Sequence, residues 1–109
     1  MYDAKNIKAF KPTKATVKEW KRMEKDGDKV GLCLAKTTFI KEALWKVSGF
    51  ELYSEADRLE SKIMMLYFKG KRHKGLTDEE TAKAVTYYKM ALAIAMEEAG
   101  STAEVEIDR

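Results

Sequence analysis

Lys69, Lys71, Arg72, His73 and Lys74 place five basic side chains within six consecutive positions, and Gly70 and Gly75 bracket the last four. The run leads straight into Thr77-Asp78-Glu79-Glu80, which reads as the start of a helix. The first turn of a helix attracts anions through its free N–H groups and its dipole. Contact with phosphate or with an acidic protein surface is therefore the chemistry this run could serve. Lys18, Lys21, Arg22 and Lys25 would extend the patch if the helix that carries them lies nearby. Asp78, Glu79 and Glu80 already place negative charge on the positive end of the dipole and compete with an outside anion.

Signs of catalysis are sparse. A single histidine and a single cysteine cannot make a usual zinc site, which takes four ligands, or three and a water. Cys33 falls in an apolar helical register, where a free cysteine serves as a small hydrophobe. His73 sits in a basic loop, a poor setting for a general base. Ser48, Ser54 and Ser61 have simpler cap or surface readings. No phosphate-binding glycine loop follows a strand. The carboxylate pair Glu79/Glu80 belongs to a helix cap, and Glu97/Glu98 lies near a helix end. A helix-turn-helix match at Ser48-Gly49 is weak: Trp45 is bulky and the connection to Ser54 is long for that motif. The expectation is a non-enzymatic chain with no metal and no cofactor.

The clearest element is a helix over 77–100. Thr77 and Glu80 have capping-box spacing, and Gly100 suits the left-handed position that ends a helix. Val85, Tyr88, Leu92, Ala95, Met96 and Ala99 share one side at 100° per residue. Tyr87, Met90 and Ile94 share the opposite side. A helix apolar nearly all round is buried on several sides, so this one is read either as the central rod or as a rod shared with a partner. Its apolar run is too short for a membrane span and is broken by Lys89.

A further helix is expected over 54–69, with Ser54 as N-cap and Gly70 as its stop. Ala56, Leu59, Ile63, Leu66 and Tyr67 form its buried stripe. Met64, Met65 and Phe68 exceed what one stripe needs and join Tyr87, Met90 and Ile94 as a candidate protein interface. Residues 70–76 then form a basic loop. Earlier in the chain, a helix is expected from Thr13 or Thr16 to about Asp26, with Gly27 behind it. Another spans about 29–47, with a short strand over 30–35 left open as the alternative. The core should include Trp20, Leu34, Ile40, Leu44, Leu59, Ile63, Leu66, Val85, Tyr88 and Leu92.

The fold expected is all-α: a compact bundle of about four helices, with the last one most buried. Residues 1–12 form a basic arm with Tyr2, Ile7 and Phe10 as anchors. Residues 13–100 form one helical domain, and 101–109 a mobile acidic tail with a weak option of a strand. The 109 residues carry a net charge of +3, which hides a split. Residues 1–75 hold 18 Lys and Arg against 10 Asp and Glu, whereas 76–109 hold 3 against 8. Such a split guides internal packing or offers a positive face to an acidic partner. One cysteine and no apolar leader segment lead to the expectation of a cytoplasmic protein.

In size and lysine-rich style the chain is similar to small phage or mobile-element accessory proteins. The function expected is binding of a macromolecule, as a regulator, adaptor or inhibitor of a larger protein, with self-association included. Nucleic-acid binding through 69–74 and the first helix is the alternative.

Overall fold

The four long helices each begin where the sequence supplies a side-chain acceptor or a glycine. The computed structural model describes residues 8–108, so Tyr2 and Ile7 of the arm lie outside the described residues. Helix α1 spans Lys14–Lys25, and the Thr13 hydroxyl accepts the Thr16 N–H at 3.2 Å. Gly27 follows it at φ 76°. Helix α2 spans Lys29–Val47, and Asp28 Oδ1 accepts the Gly31 N–H at 3.1 Å. The strand alternative for its first turns is thereby set aside. A Cβ at Gly31 would come within 2.6 Å of the Asp28 Cγ, so the capping carboxylate in this position lies close over a bare Cα.

Helix α3 spans Phe50–Arg72 and is longer at both ends than expected. It starts from Gly49 at φ 82° with no side-chain cap, so Ser54 lies inside the helix. Gly70 lies inside it too. A Cβ at Gly70 would sit 3.1 Å from Leu76 Cγ, so its bareness lets Leu76 fold back onto the helix. The basic segment is therefore mostly helical: Lys69, Lys71 and Arg72 form the last turn, His73 is the C-cap, and only Lys74 to Leu76 remain as loop.

Helix α4 spans Asp78–Ala99. The Glu80 N–H donates to Thr77 Oγ1 and the Thr77 N–H donates to Glu80 Oε1, each at 3.1 Å, which completes the capping box. Gly100 follows at φ 72°. A fifth helix, α5, covers Thr102–Ile107, where a mobile tail was expected. Its physical reason is the spacing of Ala103 and Ile107, four apart and so on one face, and both are fully buried.

The architecture is all-α, with no strand among the described residues. Helices α2, α3 and α4 pack against one another pairwise, while α1 lies on α2 and α5 on α4. The most deeply set helix is α2 rather than a later one. It buries Val30, Gly31, Cys33, Lys36, Thr37, Ile40, Ala43 and Leu44, against Ala84, Tyr88, Ala91, Leu92, Ala95 and Ala99 in α4. The alanine-rich face of α4 allows close approach of its neighbours, whereas α2 supplies the bulk. Trp20, Ile40, Leu44, Leu59, Ile63, Tyr88 and Leu92 are buried as expected, and Leu34, Leu66 and Val85 pack partly buried against them. Phe10 is also buried. No described helix is long and apolar enough to cross a membrane.

Two polar clusters tie the layers. Between α2 and α3, Glu60 is buried and accepts from the Thr38 hydroxyl at 2.6 Å and from Lys41 Nζ at 2.9 Å. Burial pushes the Lys41 ammonium down, but its bonds to Glu60 and Asp57 outweigh that and raise it. At the base of α5, Tyr88 and Lys36 meet Asp108. Lys36 also lies over the rings of Trp20 and Tyr88, at 5.7 and 5.6 Å, so its charge is shared among π faces and one carboxylate.

Candidate functional site

The last two turns of α3 bring together Met65, Phe68, Lys69, Lys71 and Arg72 of the residues singled out by sequence. Met65 is 73% exposed and Phe68 54%. Their spacing of three puts them on one side of the helix. Beyond them stand Lys69 and Arg72, likewise three apart, and Lys71, three after Phe68. Met65, Phe68, Lys69, Lys71, Arg72 and Glu80 line a cleft of about 770 Å³ against the start of α4, and His73 also borders it. Met64 is exposed beside this cleft without lining it.

The cations of this end have different fates. Lys69 is hydrogen-bonded and ion-paired to Glu80. That bond, helped by the Thr77 N–H, holds the Glu80 carboxyl at about 2, well below the ordinary carboxylate value. Lys71 lies 5.2 Å from the Tyr67 ring centroid, a cation–π contact. Arg72, His73 and Lys74 take part in no ion pair among the described residues. Lys74 adopts φ 56°, a left-handed turn that swings the chain from α3 toward α4.

A second cleft, of about 450 Å³, lies on the other side of the same helix end. Gly27, Asp28 and Lys29 face Tyr67, Lys71 and Gly75 across it. Lys29 is thus the cation that the fold brings toward the basic cluster. Nothing in the sequence pattern marks it, since it lies about forty residues away. Lys18, Lys21, Arg22 and Lys25 line neither cleft. Arg22 is engaged by Glu19 and Asp26 on its own helix. Lys21 borders a small hollow among α1, α2 and α5 with Trp20 and Lys36.

The second face of α4 is only partly open. Tyr87 and Ile94 are half-buried against the core, and Lys62 of α3 lies over the Tyr87 ring at 5.6 Å. Met90 alone of that trio is exposed. The Lys62–Tyr87 and Lys69–Glu80 contacts fix the two helices as antiparallel. Met90 therefore lies beyond Tyr87, away from the α3 end, and neither it nor Tyr87 nor Ile94 lines the cleft at that end.

A further exposed group escaped the sequence reading. Trp45 and Phe50, 56% and 69% exposed, flank Tyr53 at the turn between α2 and α3, with ring centroids 5.0 and 6.5 Å from it. The signal available was the pair of aromatics on either side of Ser48-Gly49. Cys33, in contrast, is buried, and burial pushes its thiol up against the opposing pull of Lys36 and Lys29. A thiol held protonated in this way is a poor nucleophile. No group of three metal-ligating side chains gathers among the described residues.

Comparison of the chain with known protein families, curated proteins and solved structures finds no match.

Proposed function

We propose that this chain works by binding another protein through the end of α3, as a small adaptor, regulator or inhibitor rather than as a catalyst. The observation that carries the reading is the pairing of Met65 and Phe68, both more than half exposed, with Lys71 and Arg72 along one cleft. Large apolar side chains ringed by charge are what binding surfaces leave open in the free state. A structural role would bury them, and the 23-residue α3 already has a full buried stripe in Ala56, Leu59, Glu60 and Ile63. A cytoplasmic setting belongs to this reading and is supported by cysteine usage, a single free and buried Cys33.

The test is photo-crosslinking in the cells that encode the protein. A benzophenone amino acid at position 65 should yield one dominant protein adduct, and the same probe at position 90 should not. Absence of an adduct from position 65, or equal yields from both positions, contradicts the reading.

A further inference from the structure

We infer that the occupant of the α3-end cleft is an acidic segment of the partner, bringing one or two large apolar side chains with its carboxylates; this deepens the protein-binding reading and rests on it. Three features of the molecule lead there.

The first is charge. Of the charged side chains on the cleft, Lys69 is balanced by Glu80, while Lys71 and Arg72 are not ion-paired among the described residues. The lining therefore keeps a positive excess. Glu80 shows how a carboxylate is held at this end, by an ammonium and a backbone N–H together. An incoming carboxylate would find the guanidinium of Arg72 not ion-paired among the described residues and the ammonium of Lys71 held by the Tyr67 ring rather than by a carboxylate.

The second is that the acids of this chain leave these cations without a carboxylate partner among the described residues. Asp78 and Glu79 stand in the first turn of α4 beside the cluster, yet neither is ion-paired to Lys71 or Arg72, and the other acidic pair of α4 lies at its far end. Glu97 and Glu98 follow Glu80 by 17 and 18 residues, about 25 Å along the rod. Glu98 is bonded by Ser48 at that far end, and Asp108 by Tyr88 at the middle of α4. The opposite charges of the two halves of the sequence are thus only partly paired within the fold.

The third is shape and surface. Ligand pockets of 300–1,000 Å³ enclose most of a small molecule. Here Met65 stands mostly in solvent as a wall, so a small acid would stay uncovered. Side chains of a docked segment fill such a cleft, and a methionine wall adapts to them. Nucleic acid is less well matched. Single strands want successive aromatic platforms along a cationic track, whereas among the described residues this cleft offers Phe68 and the small ring of His73, and the α1 cations lie elsewhere.

The experiment is selection of a random 16-residue peptide library on the immobilised intact chain, followed by titration of the enriched peptides. Binding is read from the methyl signals of methionine-labelled protein. The enriched peptides should combine Asp or Glu with Leu, Phe, Met or Trp. They should shift Met65 while leaving Met90 in place as an internal control. The Lys71→Glu/Arg72→Glu variant, with an unchanged Met90 signal reporting its fold, should lose at least tenfold in affinity. No enrichment, enrichment of basic or neutral peptides, or a Met65 shift with a 20-nucleotide single-stranded RNA and not with the peptides would each overturn the inference. A protein crosslinked at position 65 in any of these cases leaves the protein-binding reading standing, whereas failure of that crosslink removes the reading itself.

Discussion

Tyr88 donates a 2.9 Å hydrogen bond to Asp108 Oδ1, and Lys36 Nζ lies 3.5 Å from the same oxygen. Three helices meet at this one carboxylate, just past the end of α5. A six-residue helix is not stable alone, so α5 is held by these contacts and by the burial of Ala103 and Ile107. Ile107→Ala should cost about 2–5 kcal/mol, the range for truncating a fully buried isoleucine. Urea unfolding measures it, and a loss under about 0.5 kcal/mol, as at an open surface site, would mean that α5 is not docked.

The α2–α3 contact depends on Glu60. Its carboxylate is buried and serves both Thr38 and Lys41. Removing one partner of a buried pair leaves the other charge stranded, at about 3–5 kcal/mol. We expect Glu60→Ala to destabilise by about 3 kcal/mol. Adding Lys41→Met should recover part of that loss in a double-mutant cycle, and strict additivity of the two changes would contradict the coupling.

Thr37 offers the opposite case. Its hydroxyl is fully buried and has no hydrogen-bond partner among the described residues. An unsatisfied buried polar group costs about 1–3 kcal/mol. Thr37→Val keeps the shape and removes the hydroxyl, so the thermal midpoint should rise. A fall in the midpoint would show that the hydroxyl is bonded.

How much of this was legible in the sequence differs from element to element. The start of α4 was readable because a capping box is a local device: Thr77 and Glu80 satisfy each other without help from the rest of the chain. The start of α3 was not, since Ser54 has the look of a cap but the helix begins at Gly49 and uses no side chain. Gly70 reads as a stop, and only the return of Leu76 onto it shows why a glycine is tolerated in mid-helix. Residues 105–107 alternate like a strand, while the buried pair Ala103 and Ile107 has helical spacing. The cations and apolar residues of the α3 end were visible as types. Their separation from Met90 and the α1 lysines depends on helix packing that no local pattern encodes.

Glu80 makes the α4 cap sensitive to acid. Its folded-state pKa of about 2 lies below the ordinary 4.5, through the Lys69 bond first and the Thr77 N–H second. Between these values the unfolded chain binds a proton that the folded chain does not, so stability falls as pH drops from 4.5 toward 2. Above 4.5 the contribution is complete. Glu80→Gln should flatten this part of the stability profile, read by circular dichroism during urea titrations at pH 2.5 to 6. A variant with the same slope as the parent protein would show that other carboxylates carry the effect.

The measurement that bears most directly on the binding surface is the affinity of the partner crosslinked at position 65, by calorimetry, for the parent chain and for Phe68→Glu. Phe68 is more than half exposed, so the substitution should change folding stability by less than about 0.5 kcal/mol. Affinity should fall at least tenfold, which is about 1.4 kcal/mol of binding free energy. An unchanged affinity in the folded variant would contradict a binding surface at the end of α3.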